Sequence, residues 1–128
     1  IKQSGFKIVF DPLYGSGSGY MTRLLGDMVY EIHGNEDVNF GGLNPEPIPP
    51  HANELMKTVK DGDFSCGLLT DGDADRAGAA DENGNFVTTH ELYSLLITHA
   101  VEDKNWRGKI IKSISTTKMI DRLAAKYG

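Results

Sequence analysis

With 128 residues the chain is long enough for one domain with a real core, and 39% hydrophobic with 24% charged residues is ordinary for a globular protein in water. A net charge of −5, with no basic stripe carrying interleaved aromatics, argues against nucleic-acid and anionic-membrane partners. The single Cys66 excludes an internal disulfide and reads as a buried small hydrophobe, and without a signal peptide or an apolar run of about 20 residues the expected location is the cytoplasm.

The chain opens Ile1-Lys2-Gln3-Ser4-Gly5, without an initiator methionine, and reaches its first strand almost at once, as expected of a segment of a longer protein. Phe6 to Asp11 is rich in β-formers and stopped by Pro12. A loop containing Gly15-Ser16-Gly17-Ser18-Gly19 leads to a helical pattern from Tyr20 to about Met28, with Met21, Leu24, Leu25 and Met28 on one face. Val29 to His33 predicts a second strand. Asn35 to Pro50, with Gly41, Gly42 and four of the five prolines, predicts a long surface connection. His51 to Lys60 reads as a helix with Leu55, Met56 and Val59 inward, and Phe64 to Leu69 as a strand.

Ala77 to Ala80 and Phe86 to Thr88 flank Asp81-Glu82-Asn83-Gly84-Asn85, a hairpin signal with Asn-Gly in the turn. Thr89 is expected to cap a helix from His90 to about Glu102, with Leu92, Leu95, Leu96 and Val101 inward. After a linker, Lys109 to Ile114 predicts a strand and Thr117 to Tyr127 a helix. Strands alternating with helices predict an α/β fold with right-handed crossovers. The expected architecture is a three-layer α/β/α domain, its mostly parallel four-stranded sheet carrying one antiparallel strand. The domain boundary is placed after residue 104, leaving 105–128 as a linker and a first β-α unit of another domain.

The run Leu68-Leu69-Thr70-Asp71-Gly72-Asp73-Ala74-Asp75-Arg76 carries the chemistry. Alternation in an extended or loosely turned backbone points every second side chain the same way, so Asp71, Asp73 and Asp75 can converge. Three like charges held together repel unless a cation sits among them, and hard carboxylate oxygens suit Mg²⁺. Two other readings stand beside this one. The run is rich in residues that turns prefer. It also offers calcium-loop spacing, with Glu82 twelfth from Asp71, although Arg76 occupies the place where that loop needs glycine. Position at a strand's carboxyl end, charge and the adjacent Arg76 favour a catalytic Mg²⁺ loop. Arg76 either pairs with the aspartates or orients a phosphate with its fork of donors.

Other candidates are weaker. The glycine-rich loop between strand and helix has amides for phosphate, but it matches neither the dinucleotide fingerprint nor a P-loop, and a βα turn is the better reading. Asn44-Pro45-Glu46-Pro47 is either loop chemistry or a rigid mount for Asn44 or Glu46 near a site. His33, His51, His90 and His99 show no ligand spacing and read as surface or packed residues. A phosphatase of the HAD type is disfavoured because the first strand ends Asp11-Pro12-Leu13, without a second carboxylate.

Taken in order, Phe10-Asp11-Pro12 with its glycine-rich turn, Asn44-Pro45-Glu46-Pro47, Thr70 to Arg76, and Asp81-Glu82-Asn83-Gly84 resemble the second domain of the α-D-phosphohexomutases, the phosphoglucomutase and phosphomannomutase family. The resemblance runs from about Phe6 to Glu102, and Ser115-Thr116-Thr117 is similar to the opening of that family's third domain. It implies a four-domain enzyme in which a phosphoserine on the first domain exchanges its phosphoryl group with a hexose phosphate. Asp71, Asp73 and Asp75 would be the Mg²⁺ ligands, and Arg76 would position the phosphoserine or the moving phosphoryl group. The serine, sugar-recognition and phosphate-binding loops are missing from these residues, so the segment by itself is expected to be inactive, with the parent's other domains as partners. A stand-alone Mg²⁺- or Ca²⁺-binding α/β interaction module is the alternative.

Overall fold

The computed structural model describes residues 5–128, so the opening Ile1 to Ser4 lies outside the described residues. The chain folds as two compact units, the first ending at Val87 and the second beginning at Thr88.

In the first unit, β1 (Ile8–Asp11), β2 (Val29–Glu31), β3 (Cys66–Thr70), β4 (Ala77–Ala80) and β5 (Phe86–Val87) form one sheet of order β2-β1-β3-β4-β5. The strands β1, β2 and β3 pair in parallel, β4 runs against β3, and β5 runs against β4. Four strands therefore point one way and β4 alone opposes them. The sheet has five strands where four were expected, because Phe86 and Val87 pair with Ala80 and Ala79. Two helices join the parallel strands: α1 (Tyr20–Leu25), continued by a 3₁₀ turn Gly26–Met28, and α2 (Asn53–Asp61). The chain steps outward from β1 to β2 and back across to β3, so right-handed connections put α1 and α2 on opposite faces of the sheet. This is the three-layer α/β/α arrangement.

The core lies under α2, where Val9, Ala52, Leu55, Val59, Leu69 and Ala80 form one buried cluster. Gly67 is needed there, since a Cβ on it would lie 2.7 Å from Leu55 and 2.9 Å from Val59. The helix α1 is shorter than its pattern suggests and buries no residue fully; Leu24, expected inward, is exposed. Gly26, at φ 63, ends it before the apolar pattern is complete. The connection 32–52 holds only a 3₁₀ turn at Phe40–Gly42, as its prolines and glycines predict.

In the second unit, α3 (Thr89–Thr98) runs into a wide π turn at His99–Asp103, and α4 (Met119–Tyr127) follows. Thr88, not Thr89, caps α3: its Oγ1 accepts from the Glu91 amide at 3.3 Å while Glu91 accepts from the Thr88 amide at 2.8 Å. The reciprocal box needs a glutamate three residues after the cap, and only Thr88 has one. The expected inward face also shifts, with Ile97 buried and Leu95 and Leu96 exposed. Lys109 to Ile114 forms no strand, and Ile111 is 85% exposed. A β-prone run becomes a strand only where a partner takes up its backbone groups, and here the Ile111 carbonyl accepts the Tyr93 hydroxyl instead, at 2.8 Å.

Candidate metal centre

The sheet reverses its winding between β1 and β3, and in open α/β sheets the crevice outside the carboxyl ends at such a point is where ligands bind. The loops leaving β1 and β3 meet there. The Ser16 amide donates to the Gly72 carbonyl at 2.9 Å, and a Cβ on Gly15 would lie 2.7 Å from the Gly72 Cα, so only glycine fits.

The β3–β4 connection is a tight turn. The Asp71 amide donates to the Arg76 carbonyl at 3.2 Å and the Ala74 amide to the Asp71 carbonyl at 3.1 Å, with Ala74 left-handed at φ 61. Asp71, Asp73 and Asp75 converge as expected, each offering an oxygen within 4.8 Å of the others. Of the extended or loosely turned backbone expected, the turned form is the one that brings them together. Asp71 is buried, whereas Asp73 and Asp75 are exposed at the mouth.

Arg76 lies against this cluster. Its backbone amide donates to Asp71 Oδ1 at 2.9 Å and its Nε to Oδ2 at 2.6 Å. Nε is 3.7 Å from Asp75, Nη1 is 3.9 Å from Glu46, and the side chain is 59% exposed. Arg76 thus does pair with the aspartates, through one edge of its guanidinium. Burial pushes the Asp71 carboxyl up, but the Arg76 amide and guanidinium, with a hydrogen bond to Asp75, together hold it below the usual range. Asp75 is pushed up, first by its hydrogen bond with Asp71 and then by the charges of Asp73 and Asp71. A divalent cation among them would offset the repulsion that raises Asp75. Three carboxylates in so small a span fit a hard divalent ion.

Asn44-Pro45-Glu46-Pro47 belongs to this neighbourhood. The Pro45 carbonyl accepts from the Gly72 amide at 3.3 Å, and Glu46 faces Arg76. Asn44 is exposed. The glycine-rich loop behaves as a βα turn: the Gly19 amide is taken by Glu31 at 2.7 Å, and the Ser18 and Tyr20 amides by loop carbonyls. The calcium-loop reading fails on its flanks, which are the strands β3 and β4, and Glu82 stands outside the carboxylate group.

Sequence spacing missed one cluster. Asp11, fully buried at the end of β1, accepts from the Leu13 amide at 2.7 Å and contacts His33 Nδ1 at 3.0 Å. His33 Nε2 lies 3.2 Å from Glu54 on α2, and the His33 ring packs on Tyr14 with centroids 4.5 Å apart. Burial raises the Asp11 carboxyl, and the Leu13 amide and His33 only partly offset it. These residues lie on separate elements, so no local pattern announces them.

A family model described as phosphoglucomutase/phosphomannomutase, alpha/beta/alpha domain II, matches residues 1–84. The chain is 34% identical over 124 residues to a phosphoglucomutase/phosphomannomutase of Thermococcus kodakarensis, covering 94% of this chain and 27% of that protein. It is 32% identical over 128 residues to a "probable phosphoglucosamine mutase" of Methanopyrus kandleri, covering 97% of this chain and 28% of that protein. The crystal structure of a "putative phosphomannomutase" from Thermus thermophilus superposes with a TM-score of 0.84 at 31% identity, over 99% of this chain and 31% of that one. The chain spans little more than a quarter of the length of the curated relatives it matches. By fold, by the aspartate turn at the switch point and by this likeness, the chain belongs to the phosphoglucomutase/phosphomannomutase family, with its α/β/α domain II in residues 1–84.

Proposed function

We propose that this chain contributes the metal-binding loop of a cytoplasmic phosphohexomutase, which moves a phosphoryl group between the 1- and 6-positions of a hexose phosphate through a phosphoserine on another domain. The observation that carries the reading is the convergence of Asp71, Asp73 and Asp75 at the switch point. These three residues would hold Mg²⁺, which when bound neutralises charge on the oxygens of the phosphoryl group in flight. Asp71 anchors Arg76 through Nε and Glu46 lies 3.9 Å from Nη1, and the exposed remainder of the guanidinium would orient a phosphate with planar, paired donors. Residues 1–104 are assigned to the second domain and 105–128 to a linker and the opening of the third. Sugar preference is assigned to the remainder of the enzyme, which supplies the serine and sugar-recognition loops, and the segment alone is expected to be inactive.

The test is Asp73→Asn in the full-length enzyme carrying this segment. Losing several kcal/mol of charge stabilisation predicts a fall in turnover of about a hundredfold or more with the fold intact. Near-normal turnover would remove the assignment. A tight, Ca²⁺-selective site with no mutase activity in the full-length protein would favour an interaction module instead.

A further inference from the structure

The Asp11–His33–Glu54 cluster has no part in the reading above, yet it is tied to the aspartate turn by a short chain of contacts. Asp11 holds the Leu13 amide, and the His33 carbonyl holds the Tyr14 amide at 3.1 Å, so the same two residues grip successive amides of the loop leaving β1. Leu13 (φ 48), Tyr14 (φ 60) and His33 (φ 49) all sit in the left-handed region that side chains avoid. Such residues persist only where their surroundings fix them, and they gather at functional sites. Two residues further on, Ser16 donates to the Gly72 carbonyl, and Gly72 is the link between Asp71 and Asp73. The path from His33 to the aspartate turn therefore runs through hydrogen bonds and one close glycine contact.

We propose that Asp11 and His33, with Glu54 behind them, are positioning residues for the metal loop, setting the separation of Asp71 and Asp73 through the Leu13–Ser16 segment. This rests on the reading of that loop as a metal site. Residues that orient metal ligands typically govern affinity by about ten- to a hundredfold when lost.

The test is Mn²⁺ binding to the full-length enzyme carrying this segment, followed by calorimetry and by the electron paramagnetic resonance signal of free Mn²⁺, alongside thermal melting. His33→Ala is expected to weaken binding about tenfold at temperatures where it remains folded. His33→Asn tolerates the left-handed backbone and keeps an amide donor near the place of Nδ1 but loses the contact of Nε2 with Glu54, so it should restore part of the affinity. Val59→Ala, a core truncation on α2, should lower the melting temperature and leave affinity unchanged. If His33→Ala loses melting temperature but binds Mn²⁺ like the wild type, the inference is wrong and the metal site stands. If His33→Ala fails to fold, His33→Asn and Glu54→Gln decide. A loss of affinity in the folded His33→Asn as large as that expected of His33→Ala overturns the amide-donor argument, and wild-type affinity in Glu54→Gln overturns the part assigned to Glu54. Absence of Mn²⁺ binding in the wild type, or binding that survives Asp73→Asn, overturns the metal reading itself and this inference with it.

Discussion

Two acidic turns lie one after the other in this chain, and they leave their aspartates in different company. In the β4–β5 turn, Asp81 accepts from the Asn83 amide at 3.0 Å, the Asn85 amide at 2.7 Å and the Asn85 side chain at 2.9 Å. In the β3–β4 turn, Asp73 accepts no hydrogen bond from any described residue, and Asp75 faces two other carboxylates. The Asn85 side chain and amide hold Asp81 below the usual carboxylate range, whereas Asp75 is pushed above it. A cation drawn to Asp81 must displace bonds already made; one drawn to Asp73 and Asp75, beside an Asp71 that Arg76 already holds, relieves repulsion. Count of acidic residues does not separate a structural turn from a metal-binding one, and the partners of each carboxylate do.

The largest effect that would break this contrast is on metal affinity. Asp73→Asn should weaken Mg²⁺ binding by at least about tenfold in calorimetry, and Asp81→Asn should leave it unchanged. Equal losses in both would mean that the turns are not distinct. Next, Gly15→Ala drives a methyl group into Gly72. Overpacking of this kind costs about 1–3 kcal/mol by chemical denaturation, and because the displaced residue lies between two of the carboxylates, metal affinity should fall with it.

Saturating Mg²⁺ should stabilise the wild type by about 2.7 kcal/mol at a hundred times the dissociation constant, and Asp75→Asn by less. The smallest effect is the pH dependence without metal, and its signs differ between the turns. Asp81 has a lowered folded pKa, so its contribution is full above the unfolded value and disappears as pH falls through the folded one. Asp75 has a raised folded pKa, so its contribution is full below the unfolded value and is lost as pH rises through the folded one. At neutral pH without metal, Asp81→Asn should therefore lower the melting temperature while Asp75→Asn leaves it unchanged or higher. Parallel behaviour of the two variants would refute the difference in environment.

The first unit was legible where residue chemistry acts locally. Prolines and glycines marked the long connection, Leu55 and Val59 marked the face of α2, and Asn83-Gly84 marked the hairpin. Reading failed where a partner decides: Lys109 to Ile114 has the composition of a strand and no strand beside it, and the buried face of α3 follows its packing with α4 more than its leucine spacing. The misplaced helix cap was an error of register by one residue, which the position of Glu91 would have corrected.

At the site the division is sharper. Asp71, Asp73, Asp75 and Arg76 are neighbours in sequence, so their types and spacing were enough to point to a divalent cation, while the resemblance to the family also drew on Phe10-Asp11-Pro12, Asn44 to Pro47 and Asp81 to Gly84. That Asp71 is buried and Asp73 exposed, that Glu46 faces Arg76, and that Asp11 meets His33 and Glu54 could be decided only by the folded chain. Charge, turn preference and side-chain chemistry are written residue by residue, whereas burial and long-range pairing come from the crossing of strands and helices far apart in sequence.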